Sequence, residues 1–323
     1  MMNEIKFGVF LPFYAFKVEK RKSSLPFDRV RDVVLECERL GYDSVWLDDH
    51  LMFEKRPILE CWTTLSALST ITSKIRLGTM MLCNSFRNPA ILAKMAATLD
   101  VISNGRLEVG IGAGVQEDEH EAYGIPFLKP RARIDRMKEA VEIIKKMWTE
   151  EKASYQGKYY RTSDAACEPK PVQKPHPPII IGGGGEKLTL KVTAQHADRY
   201  DWGYVPSLEL YKHKLDVLES HCKAVGRDFN EIEKSCWLGG QIFVVPDQKE
   251  LDNKVSQLKP KNVSLKDFKK FNFVATPDGC RQEIRRYTSL GVTYFMLFFG
   301  DLPDVSSLRL FAEKVAKKIK TTG

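Results

Sequence analysis

The sequence predicts an α/β fold, a closed (β/α)8 TIM barrel with insertion segments, and three observations predict it. Short β-rich runs alternate with longer stretches of helical hydrophobic spacing, and the pair recurs eight times along 323 residues. Such alternation implies parallel strands joined by right-handed crossovers. No linker or shift in composition separates two halves, so one domain over 1–323 is expected, closed rather than doubly wound.

The elements follow in order. Strand one is "IKFGVFLP" (5–12), followed by a helix at 27–42 that stops at Gly41. "DSVWLDD" (43–49) is strand two, 60–73 a helix, and "KIRLGTMML" (74–82) strand three. The helix at 88–105 has Pro89 in its first turn and Gly105 past its end. "RLEVGIGAG" (106–114) is strand four, trailed by a polar loop insertion near 115–130 and a helix at 131–149. Alternating tyrosines around Gly157 read as a β-hairpin insertion at 153–161. "PPIIIGGGG" is strand five, 198–205 strand six, 234–245 strand seven and 292–301 strand eight, with helices at 186–196, 207–225, 276–291 and 304–320. A polar insertion at 246–275 reads as helix plus excursion.

Composition excludes several classes. The 43% hydrophobic content fits a large core, and no run reaches the ~18 apolar residues of a membrane span. The start "MMNEIKFGVFLPF" lacks the basic, apolar and small-residue parts of a signal peptide, so a cytoplasmic address is expected. Seven scattered cysteines form no C-x-x-C pair, which argues for reduced, buried thiols. The +8 charge lies on amphipathic helices where lysines alternate with acids, so no nucleic-acid partner and no membrane is expected.

Barrel chemistry belongs at the carboxyl ends of the strands. Strand two ends there with Asp48, Asp49 and His50, a proton-carrying imidazole beside carboxylates. "GIGAG" (110–114) fails the G-x-G-x-x-G spacing of a dinucleotide fold, which argues against a nicotinamide domain. Instead, two glycine clusters, after strands four and five, suggest a groove where backbone amides approach a phosphate, helped by the helix that follows Gly182, Gly183, Gly184 and Gly185. "EDEHEAYG" reads as a solvated insertion loop rather than a metal cluster, because no second histidine follows at helical spacing. Cys83 stands at a strand end, with no base nearby in sequence to mark it as a nucleophile.

Taken together, "ECWTTLSALSTITSKIRLGT", "CNSFRNPAILAKMAATLDVISNGRLEVGIGAG", "EHEAYGIPF", "RIDRMKEAVEIIKKMWTEE", "YQGKYY" and "EPKPVQKPHPPIIIGGGGEKLTLKV" resemble the bacterial-luciferase-like superfamily. Within it the chain is most similar to the coenzyme F420-dependent oxidoreductases, over nearly its whole length. The resemblance implies a deazaflavin or flavin in the barrel mouth, with His50 as proton carrier and Asp49 beside it. It implies a non-prolyl cis peptide at Met80–Met81 against the ring, where relatives carry smaller or β-branched residues. Gly112, Ala113, Gly114 and Val115 would meet the cofactor, Gly182 to Gly185 would cradle its phosphate, and Asn84 and Arg87 would supply polar contacts. Two departures stand out: Val115 replaces the Trp or Glu of many relatives, with Glu117 offset, and "ADRYDW" places Arg199, Tyr200 and Asp201 where other residues are usual.

The expected function is hydride transfer between F420 and a small organic substrate, by a single barrel that the resemblance implies pairs into a homodimer through helices of its first half. FMN is the alternative cofactor, in a monooxygenase served by a separate flavin reductase; a third reading is a non-catalytic flavin-binding paralogue. Substrate choice is expected from loops at 51–59, 115–130, 203–209 and 246–275.

Overall fold

A computed structural model describes residues 4–16, 26–54, 56–205 and 207–322. Positions 55 and 206, inside two of the expected specificity loops, lie outside the described residues. In chain order the strands are β1 (Lys6–Leu11), β2 (Ser44–Leu47), β3 (Arg76–Thr79), β4 (Leu82–Cys83), β5 (Leu107–Gly112), β6 (Lys152–Gln156) and β7 (Arg161–Ala166). They continue as β8 (Ile179–Gly182), β9 (Arg199–Asp201), β10 (Glu233–Trp237), β11 (Gln241–Val244), β12 (Asn272–Ala275) and β13 (Tyr294–Leu297).

Eight of these close a parallel barrel in the order β3-β2-β1-β13-β10-β9-β8-β5, and β5 returns to β3 through Leu77 opposite Leu107. The short β4 extends the rim beside β5. Strands covered by helices outside and side chains inside must be apolar on both faces, and every residue of β2 and β13 is buried. Helix starts carry the expected caps: Asn88 accepts from Ala90 N and Ile91 N ahead of Pro89–Ile102, and Thr276 caps Pro277–Thr288.

Three expectations change. The seventh strand divides, because Gly239 adopts φ +88° and turns the chain away after Trp237. Only β10 joins the barrel, while β11 pairs in parallel with β12 outside it. The 246–275 insertion supplies that partner strand together with helices Gln248–Leu258 and Leu265–Phe271. The "EDEHEAYG" stretch is the helix Glu117–Ala122, with Glu119 and His120 buried rather than solvated. The hairpin forms as expected, β6 against β7.

Arg199 is explained by the barrel floor. Glu108, Arg199, Arg76, Glu233 and Tyr294 all stand at or next to the first residues of their strands, opposite the carboxyl ends. Arg199 donates to Glu108 at 2.7 Å and to Glu233 at 2.6 Å, and lies 3.7 Å from the Tyr294 ring centre. Arg76 completes the cluster on Glu108. Burial would raise the Glu108 pKa, but the two guanidiniums outweigh it and hold the carboxyl below its ordinary value. The departure at 199 is thus part of the interior framework and lies away from the mouth.

Candidate active site

The mouth of the barrel holds a cavity of about 330 Å³ lined from strand ends β1, β2, β4, β5, β8, β9 and β10. Asp49, His50, Met80, Met81, Gly112, Ala113, Gly114, Val115, Gly182 and Gly183 all face it, so most sequence-expected site residues converge. The Met80–Met81 peptide is cis, as the resemblance implied. Met81 lies between the two glycine strands: a Cβ on Gly182 would meet its Cγ at 2.7 Å, and one on Gly112 its Cβ at 3.4 Å.

Other expected residues do not line the cavity. Asn84 is buried against the hairpin, its amide 3.4 Å from the Tyr160 hydroxyl. Only half of the glycine run faces the opening. Gly183 has φ +120°, a backbone region that side chains rarely adopt, and an added Cβ on Gly184 would overlap the Trp202 indole. Gly184 and Gly185 therefore serve close packing, and the helix starts later than expected, at Thr189. Trp202 in turn lies 4.8 Å from Lys214 Nζ, which donates to Gly184 O at 2.9 Å.

Asp49 does not hold His50. Its carboxylate accepts both Arg87 guanidinium nitrogens, at 2.7 and 2.8 Å, and the Cys83 N–H at 2.9 Å. This bidentate pair pins the end of β2 to the turn after β4. Arg87 thereby clamps the site and does not itself line the cavity. His50 instead meets Glu119, whose Oε2 is 3.0 Å from Nδ1. Sequence reasoning missed Glu119 because its surroundings are densely charged; its only signal was position beyond a strand end. His120 was missed likewise: Nδ1 is 2.6 Å from Gln116 O, and Nε2 is 3.7 Å from Cys83 Sγ, supplying the base absent from Cys83's local sequence. Burial nevertheless pushes the Cys83 thiol up to about 11, so it stays protonated near neutrality.

Asp201, the other departure, orients the far wall. It accepts from Trp237 Nε1 at 3.0 Å, Gly203 N at 2.7 Å and Ser235 Oγ at 2.5 Å. Trp237 then packs edge-on against Phe10, ring centres 5.1 Å apart. Val115 is 79% exposed on the rim, and Glu117 is exposed, so neither offers a buried acid. The arrangement is a mainly apolar slot with bare backbone on two sides and an imidazole–carboxylate pair at one edge. Such a slot suits a flat heteroaromatic ring more than a metal, and among the described residues no group of metal-ligating side chains is assembled.

Asp48, behind His50, is buried and accepts from Phe13 N at 2.9 Å, while its Oδ2 has no hydrogen-bond partner among the described residues. Burial raises its pKa from 3.8 to about 6. The folded state therefore holds this proton more tightly than the unfolded chain, and stability falls as pH rises through the window between those values. Asp48→Asn cannot ionise and is expected to escape that loss, on the order of 3 kcal/mol once pH exceeds the folded value. Denaturant midpoints of variant and parent, compared across that window, should diverge as pH rises; a constant gap would refute the assignment.

Comparisons with known proteins bear on the family and the fold. Residues 5–262 match the luciferase-like monooxygenase family. The F420-dependent glucose-6-phosphate dehydrogenase of Segniliparus rotundus is 28% identical over 90% of this chain and 93% of its own. Two solved structures share the fold. The coenzyme F420-dependent tetrahydromethanopterin reductase of Methanopyrus kandleri has TM-score 0.78 and 20% identity over 98% of this chain and 99% of its own. The oxygenating constituent of 3,6-diketocamphane monooxygenase from Pseudomonas putida, in complex with FMN, has TM-score 0.78 and 19% identity over 98% and 99%. With a closed parallel barrel and a family match covering most of its length, the chain belongs to the luciferase-like monooxygenase family.

Proposed function

We propose that the protein is an oxidoreductase that uses coenzyme F420 to exchange a hydride with a small organic substrate. The observation that carries this reading is His50, held at the cavity edge through Nδ1 with Nε2 left to meet a ligand. When bound, F420 supplies the two-electron hydride chemistry. Met80 and Met81 form an apolar floor for its ring, and the backbone of Gly112 to Gly114 and of Gly182 and Gly183 forms the flanking walls. Phe10, Trp237 and Trp202 restrict water at the opposite side. His50 moves the proton that accompanies the hydride. Relatives named as F420-dependent dehydrogenases support the cofactor choice. Equilibrium titration with oxidised F420 is expected to saturate; absence of binding up to high micromolar coenzyme would remove the proposal.

FMN is the second reading, favoured by the FMN-bound structural neighbour. The same walls would hold the isoalloxazine, and a separate flavin reductase would be the partner. Oxygen uptake with reduced FMN but not with reduced F420 would select it. A homodimer is proposed through the helices Cys61–Ile71 and Pro89–Ile102, which leave Ile71, Ile91 and Ile102 exposed, Ile91 by 61%. Light scattering that returns the mass of one chain would sink the dimer. Among the described residues no helix is long and apolar enough to cross a membrane.

A further inference from the structure

The partner of His50 decides which ring nitrogen carries its proton. Glu119 Oε1 accepts two main-chain donors, Leu51 N–H at 2.8 Å and Met52 N–H at 3.1 Å. Its Oε2 lies 3.0 Å from His50 Nδ1, and the Glu119 side chain is only 4% exposed. A carboxylate in this setting can only accept, so Nδ1 must donate, and Nε2 of the neutral ring is left without a proton. No other carboxylate bonds Nδ1: Asp49 is committed to Arg87 and Cys83 N–H, while Asp48 accepts from Phe13 N–H through Oδ1 and its Oδ2 has no hydrogen-bond partner, the imidazole included, among the described residues. The Phe53 ring packs edge-on to the imidazole, centres 5.5 Å apart, which limits its rotation.

The geometry points to Glu119 as the positioning residue that fixes His50 in the Nδ1–H tautomer and makes Nε2 a proton acceptor toward the cavity. The catalytic consequence rests on the oxidoreductase reading above. For a substrate hydroxyl, Nε2 would take the O–H proton while the O–H bonding pair becomes the new C=O bond and the C–H pair leaves as hydride, for which oxidised F420, when bound, would be the acceptor. The resulting imidazolium then faces the Glu119 carboxylate. The same contacts tie the segment after β2 to the helix Glu117–Ala122, so the base and one rim of the cavity are set by one side chain.

Glu119→Gln tests this with an isosteric change. Leu51 and Met52 N–H still require an acceptor at the Oε1 position, so the amide oxygen must sit there. The amide NH2 then occupies the Oε2 position and donates to Nδ1, which forces the His50 proton onto Nε2. ¹⁵N NMR of histidine-labelled protein at alkaline pH, with His50 assigned by its loss in His50→Asn, reads the tautomer directly. The parent is expected to show a protonated Nδ1, and the variant a protonated Nε2. F420 affinity should stay within a few-fold, while kcat for hydroxyl oxidation falls about 10²-fold. A parent with the proton on Nε2, or a variant with an unchanged tautomer, overturns the assignment. Should the variant not fold, the parent spectrum alone still decides. Failure of F420 to bind alongside the expected tautomer would strike the cofactor reading and leave the positioning role standing.

Discussion

Replacing His50 with asparagine is expected to lower kcat by about 10²–10⁴-fold while F420 affinity stays within a few-fold of the parent. The size follows from what the side chain contributes: a proton acceptor at the cavity edge, with one nitrogen held by a buried carboxylate. Asparagine keeps a polar group at the cavity edge but cannot take a proton. The walls assigned to the ring, at Met80, Met81 and the glycine strands, do not include position 50, which is why binding and turnover should separate. Coenzyme titration and steady-state rates on one preparation measure both. Unchanged turnover with bound coenzyme would remove His50 as the proton carrier, and coenzyme binding with no turnover in the parent would favour the non-catalytic reading; equal loss of binding and rate would make His50 part of the cofactor wall instead.

The second large effect concerns the barrel floor. Glu108→Gln is expected to destabilise the fold by about 3–5 kcal/mol, because it leaves Arg199 and Arg76 facing a neutral amide in a buried setting. Glu108 is 3% and Arg199 5% exposed at the side chain, so water cannot replace the lost charge. Glu233 still accepts from Arg199 Nε at 2.6 Å, which keeps the loss from being larger. The Glu108 pKa is depressed below its ordinary value of 4.5, so its contribution is present above that pH and lost as pH falls through the lower folded value. The stability gap between parent and variant should therefore narrow in acid. Combining Glu108→Gln with Arg199→Met removes the orphaned cation and should recover part of the loss. Denaturant midpoints of the two single variants and the pair measure this; independent, additive losses would contradict the network.

The barrel, and the end of it that matters, are legible in the local pattern of the chain. Strand and helix periodicities are local, and parallel strands buried on both faces are mostly apolar runs, so β1, β2, β5, β8 and β13 could be read from the chain. The positions of His50, of Met80–Met81 and of the two glycine clusters follow from that count. Which charged groups pair was decided only by tertiary structure. Glu119 lies 69 residues from His50 and in a stretch so acidic that solvation was the natural reading. The unpaired N–H groups of Leu51 and Met52 draw its carboxylate inside, and that choice leaves Asp49, the obvious neighbour, to Arg87. The same reason applies to Arg199 and to the glycine run. A buried charge is tolerated only beside its counter-charge, and Gly184 is bare because Trp202 lies on it; both partners come from other strand ends that no local pattern joins.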